Sequence, residues 1–169
     1  ERKYIKNCID QGWISSAGKY VNLFERKIAD YTGAKYAVAC ANGTAALHLA
    51  CLALGIGKGD NLLTSPITFM ASANCAQYVG ADTLFSDIDE ESWCLSIPSL
   101  EETLKEKHVD VVVPVHFAGH SANMARLQTL RDKFGFKVIE DACHALGGQY
   151  LEKNVGSCAY SDLSTFSFH

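Results

Sequence analysis

From residue 20 onward, apolar positions recur alternately at helical spacing and in short unbroken runs. In "YVNLFERKIADYTG" the spacing puts Val21, Phe24, Ile28 and Tyr31 on one helical face, and Gly33 ends the helix. "KYAVACA" reads as a buried strand, "GTAALHLACLALG" as a helix closed by Gly55, and "NLLTS" as a second strand. After Pro66 the pattern predicts a helix, "TFMASANCAQYVG", ending at Gly80. The strand "DTLFSD", an acidic loop "IDEES", a short helix after Pro98 ("SLEETLKEK") and the strand "VDVVVPVH" come next. "NMARLQTLRDKFG" is a further amphipathic helix and "FKVIED" a strand, and Leu163 to Phe168 alternate apolar and hydroxyl residues like a half-buried strand. Strands apolar on both faces, each followed by a crossover helix, predict an α/β fold: a three-layer sandwich around a mostly parallel sheet. Residues 1–20, a helix and the Gly/Ser loop "GWISSAGK", read as separate from residues 21–169.

In such sheets ligands bind beyond the carboxyl ends of the strands, so the residues after each strand are the candidates for chemistry. Asn42-Gly43-Thr44 open a helix, where backbone N–H groups, the positive end of the dipole and a hydroxyl could cradle a phosphate; a simple cap by Asn42 or Thr44 is the alternative. The pattern is neither a Walker A sequence nor G-x-G-x-x-G. Phe69, in the first turn of its predicted helix, is either core or a stacking surface for a flat ligand. His116 and His120, with Cys143, His144 and His169 also near strand ends, make a metal site conceivable, but no metal is expected: a histidine bonded to a loop carbonyl is the simpler reading. Glu140 and Asp141 point to opposite faces, so one of them faces the cleft. Asp141, at the tip of an apolar strand, needs either a cationic partner or a turn to cap. Ser164, Thr165 and Ser167 bring hydroxyls to the same edge, or form a solvated face.

The 169 residues suit one domain that buries roughly 70% of its unfolded surface. Because the chain starts at Glu1 and stops within a strand pattern, it reads as part of a larger protein. Fifteen basic and 19 acidic residues, net charge −4, give no electrostatic basis for binding nucleic acid or an anionic membrane. No run of 18 apolar residues occurs, and no signal peptide is expected. The seven cysteines, odd in number, scattered and without C-x-x-C, point to a reducing, cytoplasmic setting.

The strand-end features are parts of a pyridoxal 5'-phosphate (PLP) site, which needs a helix start for the phosphate, an aromatic over the ring, a carboxylate on the pyridine nitrogen and a lysine. The first three are present as candidates. At the same places, "NGTAALHLACLALGIGKGDNLLTSPITFMASANCAQYVGA", "DID", "VPVHFAGH", "VIEDACHALGG" and "VGSCAYSDLSTFSFH" resemble the successive motifs of the DegT/DnrJ/StrS sugar-nucleotide aminotransferases. The resemblance runs from about Gly12 to the last residue and implies the large domain of fold-type I (aspartate aminotransferase-like) enzymes, the smaller C-terminal domain being absent from this chain.

Residue by residue, the resemblance implies Gly43, Thr44 and Ser167 on the cofactor phosphate and Phe69 stacked on the ring. It also implies Asp141 on the ring nitrogen and His144, one helical turn on, near the ring hydroxyl. The Schiff-base lysine of the family pattern falls three residues beyond His169, so these residues alone are expected to be inactive. The implied reaction is transfer of an amino group from an amino acid, glutamate by resemblance, to a UDP- or other nucleotide-linked 4-keto-6-deoxy sugar, for surface glycan or polysaccharide biosynthesis. Within the family, "PITF", "PVHFAGH", "EDACHALG" and "FSFH" most resemble the branch that aminates C4 of a UDP-sugar on the way to pseudaminic acid, whereas "GWISSAGKYV" suits other branches equally. A homodimer is implied. The alternatives are a dehydratase of the same family, which carries histidine in place of the lysine, and a non-catalytic PLP-binding or regulatory protein.

Overall fold

The computed structural model describes residues 1–15 and 17–168, so Ser16 and His169 lie outside the described residues. The chain divides into two compact units, Glu1–Ala39 and Cys40–His169.

The first unit holds α1 (Arg2–Asp10) and α2 (Lys19–Thr32). Their junction is made by Tyr20, whose hydroxyl donates to Asn7 Oδ1 at 2.9 Å and whose ring meets Tyr4 edge-on. Gly33 takes φ 83° and ends α2 as the glycine pattern predicts, its N–H bonded to Ala29 O. The predicted buried strand "KYAVACA" does not form. Tyr36 and Val38 are exposed, and Ala39 N–H donates to Glu25 Oε1 of α2 rather than to a neighbouring strand. With Phe24 and Tyr31 also exposed, the predicted α2 stripe is only partly buried within this unit.

The second unit is the α/β layer structure. Its elements are α3 (Gly43–Ala53), β1 (Asn61–Thr64), α4 (Ala71–Val79), β2 (Asp82–Phe85), α5 (Ile97–Glu106), β3 (Val111–Val113), α6 (Met124–Phe134), β4 (Lys137–Asp141), the short antiparallel pair β5 (Gln149–Tyr150) and β6 (Lys153–Asn154), and β7 (Leu163–Thr165). Five strands form one parallel sheet in the order β2-β1-β3-β4-β7, so strand order reverses between β1 and β3. The last strand is shorter than the alternation from Leu163 to Phe168 predicts, because pairing with β4 ends at Asp141↔Thr165.

Side chains alternate across the sheet, and that parity fixes the layers. Leu62, Val111, Val113 and Ile139 pack with Leu47 and Cys51 of α3 and Cys75 of α4. Leu63, Val112 and Val138 pack on the other face with Leu100 and Leu104 of α5 and Leu127 and Leu130 of α6. The three-layer sandwich expected from the sequence is therefore present in this unit. The same parity sends Asp141 toward α3 and α4, and Glu140 toward α5 and α6.

Glu140 is buried, and its charge is met by a closed network. Oε2 lies 3.0 Å from His116 Nε2, and Oε1 accepts a short hydrogen bond from Ser161. His116 Nδ1 accepts from Ala122 N–H at 3.1 Å, which leaves the ring hydrogen on Nε2 to be donated to Glu140. The sequence predicts a loop carbonyl as the partner of His116; a carboxylate and an amide take its place. Glu140→Ala would strand two buried donors, so we expect an unfolding free energy about 3 kcal/mol lower in urea titrations.

Candidate active site

Because the strands are parallel, α4, α5 and α6 all begin at the carboxyl edge of the sheet, and the segment after β4 turns there. Asp141 ends β4 and is 5% exposed. Its N–H donates to Pro114 O and its carbonyl accepts from His116 N–H, each at 3.0 Å, so its backbone is pinned to the segment following β3. Oδ1 accepts from Cys143 N–H at 3.2 Å and Oδ2 from Ser72 Oγ at 2.6 Å. Of the two readings of Asp141 from the sequence, the structure contains the turn cap on Oδ1, while the partner on Oδ2 is a neutral serine hydroxyl. Ser72, fully buried on α4, is a site residue the sequence does not single out.

The start of α3 comes to the same place. Asn42 is its N-cap, Oδ1 accepting from Ala45 N–H at 2.9 Å, so of the two capping candidates Asn42 takes the role. The amides of Gly43 and Thr44 precede the first intrahelical bond, Ala46 N–H to Asn42 O, and stand at the positive end of the helix. A β-carbon on Gly43 would lie 2.9 Å from Cys143 Sγ and 3.1 Å from Ser167 Cβ. Gly43, Cys143 and Ser167, far apart in sequence, thus touch where α3, β4 and β7 converge. Burial and then the Asp141 charge push the Cys143 thiol up to about 12, so it is neutral at physiological pH.

Two sequence expectations change. Phe69 precedes α4 instead of lying in its first turn, and it is 69% exposed, which rules out the core reading within this structure and leaves its ring open at the carboxyl edge. His144 is not a helical turn beyond Asp141. It lies exposed in a tight turn closed by Ala145 N–H to Ala142 O, because Gly147 and Gly148 follow within one turn's length. Among the described residues no group of three or more His, Cys, Asp or Glu side chains is arranged to hold a metal, and no helix is long and apolar enough to cross a membrane. Of the lysines, Lys137 opens β4 at its amino end, the far end from Asp141, with Nζ donating to Leu54 O.

A parallel α/β sheet with a helix start, a buried carboxylate and hydroxyls converging at its carboxyl edge is the architecture of a cofactor-binding enzyme domain. The family model of the DegT/DnrJ/EryC1/StrS aminotransferases matches residues 1–169, and the chain belongs to that family. It is 40% identical over 168 residues to the GDP-perosamine synthase of Escherichia coli O157:H7, covering 99% of this chain and 45% of that protein. It is 39% identical over 169 residues to the spore coat polysaccharide biosynthesis protein SpsC of Bacillus subtilis (strain 168), covering 100% of this chain and 42% of that protein. The crystal structure of NtdA from Bacillus subtilis with bound cofactor PMP superposes with a TM-score of 0.83 at 29% identity, over 90% of this chain and 34% of that one. The chain spans under half the length of these relatives. PLP, of which PMP is the amino form, is the cofactor of the family.

The residues at the carboxyl edge fit that group. The carboxylate is buried and met by neutral donors, the amides at the α3 start suit a phosphate, and Gly43 leaves room that a β-carbon would fill.

Proposed function

We propose that the full-length protein is a PLP-dependent aminotransferase that moves an amino group from an amino acid, glutamate by family resemblance, to a nucleotide-linked 4-keto-6-deoxy sugar used in surface polysaccharide or glycan synthesis. The observation that carries the reading is the meeting of Gly43, Ser167 and Cys143 at one edge of the sheet, with Cys143 N–H bonded to the buried Asp141 carboxylate. When bound, PLP supplies an electron sink for the pair released as the donor loses its α-proton.

In this reading the Gly43 and Thr44 amides and Ser167 hold the phosphate through the helix dipole and hydrogen bonds. Asp141 holds the proton on the ring nitrogen, and its burial strengthens that ion pair by excluding water. Phe69 covers a ring face, and His144 sits by the ring hydroxyl. Three further features of the proposal, the homodimer, the UDP-sugar branch and the division into a large domain here and a small domain further on, are supported by the motif resemblance. The relative named for a GDP-sugar makes GDP an equal contender for the nucleotide.

The test is the absorbance of the full-length gene product after addition of PLP. We expect a visible band that glutamate bleaches and that a UDP- or GDP-linked 4-keto-6-deoxy sugar restores as the amino sugar forms. Absence of any band overturns the cofactor site; a band indifferent to every amino donor overturns transamination.

A further inference from the structure

Asp141 is one end of a short chain of hydroxyls contributed by α4 and the turn before it. Ser72 Oγ lies 2.6 Å from Asp141 Oδ2, 2.8 Å from Thr68 Oγ1 and 3.2 Å from Phe69 O. A serine hydroxyl owns one hydrogen, and an ionised carboxylate only accepts. The shortest contact takes that hydrogen, so Ser72 donates to Asp141. Thr68 must then donate to Ser72 Oγ, and the polarity runs from Thr68 through Ser72 to the carboxylate. Donation from a hydroxyl that is itself accepting a bond is strengthened by polarisation.

The position of Ser72 is over-determined. It is fully buried, in the first turn of α4, and its carbonyl accepts from Cys75 Sγ at 3.3 Å. By contrast, the other partners of the carboxylate come from its own turn, where Cys143 N–H meets Oδ1 at a longer 3.2 Å and the Cys143 thiol also hydrogen-bonds Asp141. Ser72 is therefore the one described side chain, supplied from another element, that fixes the rotation of the carboxylate about its Cβ–Cγ bond.

We propose that Ser72, polarised by Thr68, is a positioning residue for Asp141: it sets which carboxylate oxygen faces the cleft and gives the negative charge a fixed donor. The inference rests on the pairing of Asp141 with the cofactor ring nitrogen. The titratable groups facing this carboxylate are the thiols of Cys75 and Cys143. Hydrogen bonding to Cys51 and burial push Cys75 up, and burial and Asp141 push Cys143 up, so both are neutral and add no charge. His116 meets Asp141 through the backbone, while its ring is turned to Glu140 on the other face.

The full-length protein, stripped of cofactor and titrated with pyridoxal 5'-phosphate, gives a Kd from fluorescence quenching and the pH midpoint of the bound cofactor's visible absorbance. Ser72→Ala is expected to raise Kd about 10-fold and to move the midpoint by about half a pH unit. Ser72→Thr, which restores the hydroxyl, is expected to return both values toward the parent. Thr68→Val, at a half-buried position, is expected to raise Kd about threefold and carries the test if Ser72→Ala does not fold. Asp141→Asn is the reference. If it changes Kd and midpoint while Ser72→Ala leaves both at the parent values, the positioning role is overturned and the reading of Asp141 stands. If Ser72→Ala weakens binding with an unmoved midpoint, Ser72 only packs, and the proposal fails. If Asp141→Asn itself moves neither quantity, the cofactor pairing fails and the inference falls with it.

Discussion

Asp141→Asn in the full-length protein is expected to lower transamination on the order of 10²–10³-fold while leaving the thermal midpoint of the cofactor-free protein unchanged or higher. The carboxylate is 5% exposed and is met by neutral donors, Ser72 Oγ and the N–H and thiol of Cys143, with no cation among the described residues. Without cofactor it is thus a buried charge that a neutral side chain of the same shape relieves. Asparagine can still accept from Cys143 N–H through its amide oxygen, while its NH2 faces Ser72 Oγ, whose own hydrogen has Phe69 O as an alternative acceptor, so the fold loses little. With cofactor, the amide brings no negative charge to the ring nitrogen, and the electron sink weakens. Paired calorimetry and steady-state kinetics read both halves. A parallel fall of stability and activity would mean that the residue serves the fold, contrary to the reading of the site.

Gly43→Ala is the second large effect, and its cause is steric. The added β-carbon would sit 2.9 Å from Cys143 Sγ, 3.1 Å from Ser167 Cβ and 3.4 Å from Ser167 Oγ. The thiol can rotate away, but Ser167 Cβ is fixed to the backbone beyond β7, so the start of α3 must back out of the corner. We expect a stability loss of about 1–3 kcal/mol from overpacking and a PLP affinity at least about 10-fold weaker, because the Gly43 and Thr44 amides move with the helix. Urea denaturation and cofactor titration check the two parts. An unchanged affinity would remove the α3 start from the phosphate site.

The layered part of the fold is legible because burial and periodicity agree there. Every strand from "NLLTS" to "FKVIED" forms where its apolar run predicts, and the helices after them end at Gly80 and Gly135 as the glycines suggest. The segment from Tyr36 to Cys40 has the same composition as those strands yet makes no ladder, because an apolar run shows that a strand can be buried, not that a neighbour is at hand. The β5-β6 hairpin escapes notice because it has two residues per strand, turning through Leu151 and Glu152 with φ 45° and 62°.

The site divides in the same way. Gly43 is visible as the opening of a predicted helix, and Asp141 as the polar end of an apolar strand. Ser72 is not, since its partner lies 69 residues away and "MASAN" looks like ordinary helix-start polarity. The sequence does carry one clue, the i, i+4 spacing of Thr68 and Ser72, which gains meaning only once β4 is set beside α4.

The adjacency of Glu140 and Asp141 has a consequence for how the chain finds its register. A slip of β4 by one residue would exchange their faces, thrusting Glu140 into the cleft and leaving the shorter Asp141 to reach for His116 and Ser161. It would also turn Val138 and Ile139 toward the wrong helices. Misalignment would therefore be penalised on both faces at once, so the residue pair that prepares the site also proofreads the pairing of the strand that carries it.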